Sequence, residues 1–113
     1  MCSSDLVMPS VIQNEQRILI PIELKAVEAD ERNIVQIQRY VDWIEQYYIP
    51  NRQSDIQPVL ISKKIENKFT QAYQRVLKSF KKFNEVNHRR CEKLKFVEFR
   101  IENSDLFFEE VNY

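Results

Sequence analysis

The stretch Arg17-Ile18-Leu19-Ile20-Pro21-Ile22-Glu23-Leu24-Lys25 is a run of β-branched and aliphatic residues that ends in an acid and an amine two positions apart. Side chains alternate faces along a strand, so Ile18, Ile20, Ile22 and Leu24 point one way while Glu23 and Lys25 share the other face. A second apolar run, residues 5–12, lies just upstream across Gln13-Asn14-Glu15-Gln16. The two runs read as a β-hairpin. Pro9 and Pro21 lack an N–H, so each is expected at an edge, a bulge or an unpaired position. A turn centred on Asn14 sets Asp5 opposite Glu23, with Cα atoms about 4.5–5.5 Å apart. A slip of one residue would set Asp5 against Leu24 instead and exchange every face.

Downstream the period changes from two to that of a helix. Ile34, Ile37, Val41, Ile44 and Tyr48 recur on one face between about Asp30 and Tyr48, with Asp30 as N-cap and Pro50 beyond the end. Pro58-Val59-Leu60-Ile61-Ser62 is an apolar run suited to a strand buried on both faces. Strand, helix and strand in that order imply a βαβ crossover into a mixed sheet. A second helix is expected over Glu66–Val86, burying Phe69, Ala72, Tyr73, Val76, Leu77, Phe80 and Phe83. A last strand follows over Leu94–Ile101, and the acidic, aromatic tail after Glu102 carries no assignable pattern.

The chain has 113 residues, 43% hydrophobic and 30% charged, which suits one domain over residues 1–113 with one core. It has no glycine, which removes the phosphate-cradling loops of P-loop and dinucleotide-binding folds. Cys2 and Cys91 have no metal-ligand spacing and read as structural thiols. No signal peptide or membrane-length apolar run is visible, so a cytoplasmic protein without membrane partners is expected. Net charge is zero but segregated: residues 67–95 carry nine basic and two acidic side chains. Such a belt suits nucleic acid, although Lys78, Lys81, Lys82, Arg89 and Arg90 could equally form a solvated helix face. His88 reads as a surface side chain.

Two carboxylates a few ångströms apart repel unless a cation lies between them, and an all-oxygen site selects Mg²⁺ or Mn²⁺. Such an ion suits phosphodiester hydrolysis, with Lys25 placed to orient water and offset negative charge. Lys25, read as a strand-face residue outside the core, is expected to tolerate replacement by Ala without loss of the fold. Gln36 and Tyr40 lie one helical turn apart, and Trp43 and Tyr47 continue their stripe. For Trp43 and Tyr47 a second core stripe is the commoner reading of aromatics at helical spacing, and both are left out of the site. A Glu-x-Lys pair alone is ordinarily a solvated strand face; the combination with Asp5, Gln36 and Tyr40 is what points to chemistry.

The string Ile22-Glu23-Leu24-Lys25, followed by Val35-Gln36 and Arg39-Tyr40, resembles the Glu-x-Lys motif and Gln-x-x-x-Tyr helix of PD-(D/E)xK nucleases, most closely the NucS-like and RecB-like endonucleases. The resemblance is clearest over residues 17–62. It implies an α/β, restriction-endonuclease-like mixed β-sheet flanked by helices, and a Mg²⁺- or Mn²⁺-dependent DNA endonuclease or exonuclease. Carried over, it makes Asp5 and Glu23 metal ligands together with the backbone carbonyl of Leu24. Lys25 becomes the water-activating group, and Gln36 and Tyr40 complete the catalytic set. The hairpin begins almost at Met1, where that superfamily first has a helix and a strand, so a fragment of a longer protein, without those elements, is expected, the alternative being an N-terminal partner that completes the sheet; a homodimer or an N-terminal partner domain is the protein partner considered beside DNA. The alternative is an inactive nuclease-fold module that binds nucleic acid or assembles with a partner.

Overall fold

Three of the four prolines decide how the strands divide. The computed structural model describes residues 4–13, 16–47 and 54–113, with side chains over 7–12, 17–47 and 55–113. The N-terminal hairpin forms in two pieces: β1 (Ser4–Val7) pairs antiparallel with β4 (Ile22–Glu28), and β2 (Ser10–Gln13) with β3 (Gln16–Leu19). Between the pieces Pro9 and Pro21 interrupt the ladder from opposite strands, since neither can donate an N–H. β5 (Ser54–Ile56) and β6 (Val59–Lys63) break at the same level, at Pro58. The proline carbonyls still accept: Ile20 N–H donates to Pro9 O at 2.9 Å and Val59 N–H to Pro21 O at 2.9 Å. The ribbon therefore passes across a proline seam from a five-stranded sheet into a three-stranded one ordered β2-β3-β5.

The five-stranded sheet has the order β1-β4-β6-β7-β8, where β7 spans Lys95–Glu102 and β8 spans Asp105–Val111. Strands β4, β6 and β7 are mutually parallel, and β1 and β8 close the edges antiparallel. The connections through α1 (Arg32–Tyr47) and α2 (Gln71–Val86) step in the same direction along the sheet. Crossovers of one hand therefore put both helices on one face. The core forms there, from Ile37, Val41 and Ile44 of α1, Tyr73, Val76, Phe80 and Phe83 of α2, and Leu60 and Phe96 beneath them. The described residues thus form an α/β fold with mixed sheets and two helices.

Four expectations need correction. Asp5 pairs with Leu24 and Leu6 with Glu23, so Asp5 is not opposite Glu23. The reason is parity: Gln13 pairs with Gln16, an even connection whose axis falls between positions 14 and 15 rather than on Asn14. Asn14 itself lies outside the described residues, as do Cys2, Tyr48 and Pro50. α2 begins at Gln71 rather than Glu66, because Thr70 caps it by accepting from Tyr73 N–H at 3.0 Å. Phe69, expected on the buried face, precedes that cap and is 99% exposed, and Ala72 is exposed as well. The tail is strand β8, reached through Asn103 and Ser104, both with positive φ (52° and 68°). The fourth correction, to Lys25, belongs to the site.

Candidate active site

Alternation on β4 holds, but its sense is inverted relative to an ordinary half-solvated strand: Glu23 is 1% exposed and Lys25 9%, whereas Leu24 between them is 40% exposed. The acid and the amine face the core beneath the helices. Lys25 is therefore not a surface strand residue, and the expectation that it can be removed without touching the core fails. Its stem crosses packed side chains and its ammonium reaches the start of α1, where Nζ donates to Asp30 Oδ2 at 3.0 Å and to Asn33 Oδ1 at 3.5 Å.

That helix start is a reciprocal cap. Asp30 Oδ1 accepts from Arg32 N–H at 2.8 Å, and Asn33 Oδ1 accepts from Asp30 N–H at 2.8 Å. Asp30 is thus the cap residue read from the sequence, and it also pairs with Lys25. Burial raises its pKa, but hydrogen bonds from Arg32 and Lys25 outweigh that and hold the carboxyl at about 2, below its ordinary 3.8. Asn33, Gln36 and Tyr40 follow at i, i+3 and i+7 along one stripe of α1. Gln36 Nε2 donates to Tyr40 Oη at 2.9 Å. The motif lysine on the strand thus meets α1 at Asn33, which lies on the same helix stripe as the Gln36–Tyr40 pair and which nothing in the sequence singles out. Trp43 and Tyr47 continue outward, 48% and 63% exposed with ring centroids 5.7 Å apart, and are not a core stripe.

Glu23 is the anomaly. Neither of its carboxylate oxygens finds a hydrogen-bond partner among the described residues, although both are inaccessible to solvent. A buried carboxylate without donors or counter-charge costs several kcal/mol, so the position calls for a cation or a donor. The register sets Glu23 beside Leu60 of β6 and Phe96 beyond it, on the packed face. The next inward positions on those strands are polar: Ser62, fully buried, and Glu98, 5% exposed. Glu98 is satisfied, accepting from Ile65 N–H at 3.0 Å and from Lys68 Nζ at 2.7 Å. It belongs to the loop before α2 rather than to an open site. Glu98 was concealed in the sequence inside an apolar strand whose facing loop could not be foreseen.

Whether a divalent cation fits rests on these donors. One carboxylate with both oxygens unspent is the kind of donor Mg²⁺ or Mn²⁺ takes, but both oxygens are sealed from solvent, so the ion and the waters it keeps would enter only if the packing over Glu23 opened. No group of three His, Cys, Asp or Glu side chains gathers among the described residues, and the side chain of Asp5 lies outside them. Glu23 is the residue that would hold the ion, with the Leu24 carbonyl beside it in sequence. Arg90 of the expected basic face pairs with Asp42 at 2.7 Å and Glu45 at 3.2 Å, tying the end of α2 to α1. It is an internal tie between the turn after α2 and α1. No described helix is long and apolar enough to cross a membrane. Comparison with models of protein families, with curated proteins and with solved structures found no match to this chain.

Proposed function

We propose that this chain is a restriction-endonuclease-like, Mg²⁺-dependent DNA nuclease whose site is built on Glu23 and Lys25. The observation that carries the reading is the pair of unpartnered, buried oxygens on Glu23, one strand step from a lysine fixed by the cap of α1. When bound, the cation would supply Lewis-acid activation and charge neutralisation at a phosphodiester. The protein's own part is positional. Asp30 and Asn33 hold the Lys25 ammonium in one place, where it can orient a water and offset charge that develops on phosphate oxygens. Gln36 and Tyr40, bonded to each other, supply an amide and a phenol on the same helix stripe.

Supercoiled, single-stranded and flapped DNA incubated with Mg²⁺ or Mn²⁺ tests this. Cleavage by the wild-type chain that disappears in Glu23→Gln, an isosteric change, is the expected result. Cleavage that survives Glu23→Gln would sink the mechanism. Asp5→Asn, assayed alongside, decides whether Asp5 acts as a ligand despite pairing with Leu24.

The burial of Glu23 favours a second reading, in which the nuclease fold is kept for nucleic-acid binding or assembly without cleavage. A carboxylate 1% exposed meets DNA only if the packing over it opens. No cleavage under any of these conditions, together with DNA binding that weakens steeply with salt, would select that reading.

A further inference from the structure

β8 is an edge strand, the last of the five-stranded sheet, and six of its seven residues are exposed, Leu106, Phe107 and Phe108 among them. Sheet edges are ordinarily blunted by brevity, proline, lysine or a bulge. β8 has none of these: it runs in unbroken register with β7, and its only charges are Asp105, Glu109 and Glu110. Asn103 and Ser104, both with positive φ, form a two-residue turn that makes Glu102 and Asp105 a hydrogen-bonded pair. Such pairs alternate along an antiparallel ladder. Asp105, Phe107, Glu109 and Val111 therefore bond to β7, while Leu106, Phe108 and Glu110 turn their N–H and C=O groups to the free edge. The side chains of Leu106, Phe108 and Glu110 share the sheet face away from the helices, since Phe96 and Glu98, opposite Val111 and Glu109, are buried on the other.

We infer that β8 pairs antiparallel with β8 of a second copy of this chain, across a two-fold axis through Phe108, so that the two sheets join into one. An axis perpendicular to the sheet keeps each side chain on its own face, so it passes through a residue and not between two. Through Phe108 it matches the whole strand: Asp105 meets the partner's Val111, Leu106 the partner's Glu110, Phe107 the partner's Glu109, and Phe108 the partner's Phe108. Every acid then faces an apolar residue, and the residues with free backbone groups meet as hydrogen-bonded pairs. The neighbouring registers fail. An axis through Phe107 sets Asp105 against the partner's Glu109, and one through Glu109 sets that acid against the partner's Glu109; like charges directly opposite are destabilising. The acids thus select one register. The pairing closes at two copies, and β1 at the other edge, with four residues, offers little for further growth. It stands independently of the nuclease reading.

Sedimentation velocity of the full chain over a concentration series, in reductant so that no thiol links the copies, should show the mass double. In the same series, amide exchange followed by NMR should slow at Leu106, Phe108 and Glu110 as the dimer forms, and stay constant at Phe107 and Glu109, which are bonded to β7 throughout. Phe108→Lys brings two ammonium groups together on the axis and should raise the concentration needed for dimerisation roughly tenfold or more, with the monomer still folded because the side chain is exposed. Leu106→Lys faces the partner's Glu110 in this register and should tighten the dimer several-fold. A chain that stays monomeric throughout would overturn the pairing. So would Leu106, Phe108 and Glu110 amides already slow in the monomer, which would mean that the chain itself covers the edge. A dimer indifferent to Phe108→Lys, or weakened by Leu106→Lys, would overturn it as well, and species growing beyond two copies would overturn the closed pair in favour of open stacking.

Discussion

Lys25 couples chemistry to folding in one side chain. Its ammonium donates to two oxygens at the start of α1, so removing it takes their charged donor away and leaves Asp30 Oδ2 with Arg32 and Asn33 Oδ1 with the Asp30 N–H. Lys25→Ala should therefore destabilise the fold by about 1–3 kcal/mol, since hydrogen bonds to charged groups lie at the upper end of the usual range while partial exposure of Asp30 screens the pair. Urea midpoints measure it, and an unchanged midpoint would mean that the contact carries no weight. Asp30 adds a pH signature. Its folded pKa of about 2 is depressed below the ordinary 3.8, so its stabilisation is present above the ordinary value and is lost as pH falls toward the folded one. Asp30→Asn should flatten the acid limb of stability in that window, as read from urea midpoints across it, and leave the slope near neutrality unaltered. A variant with the wild-type acid slope would remove Asp30 from the account. That Glu23 and Lys25 share one face was legible because alternation puts them there whatever the register. Which face was not legible, because charged residues ordinarily point outward.

At the scale of elements, the readable features were those with local causes. Both helices carry apolar periodicity, and Asp30 is a recognisable cap, so α1 emerged nearly whole. The start of α2 was misplaced because Phe69 extends the apolar period upstream of Thr70, and only the cap geometry shows that the helix begins there. The hairpin's register turned on a single residue of parity in its connection, which no side-chain pattern reports. The last hairpin was invisible for a related reason. Tight hairpins favour residues with positive φ, and the usual marker is glycine, of which this chain has none. Here Asn103 and Ser104 take that conformation at φ 52° and 68°. A serine in the left-handed region costs about 1–2 kcal/mol, partly offset because glycine would gain freedom when unfolded. Ser104→Gly should accordingly stabilise the protein by about 0.5–1 kcal/mol in thermal or urea denaturation. A loss of stability would show that the Ser104 side chain contributes to the turn.

Across the whole molecule the charge belt divides into cations already spent and cations turned outward. Lys68 is bound to Glu98, and Arg90 to Asp42 and Glu45, so these stabilise the fold rather than attract a ligand. Lys78, Lys81 and Lys82 are exposed on α2, spaced so that the three share one side of the helix. If the chain binds DNA as proposed, these lysines are the ones positioned to neutralise phosphates. Each phosphate contact contributes about 0.9 to the slope of log affinity against log salt. Replacing all three by Gln should therefore lower that slope by up to about 3 and weaken binding similarly for unrelated sequences, as measured by fluorescence anisotropy from low to moderate salt. Because no one of them lies in the Glu23 site, the triple variant should bind Mn²⁺ as the wild type does. An unaltered salt slope would assign the lysines to solvation, and the DNA-facing surface would then have to be sought on the exposed side of the sheet, where Leu24 rather than Lys25 points outward.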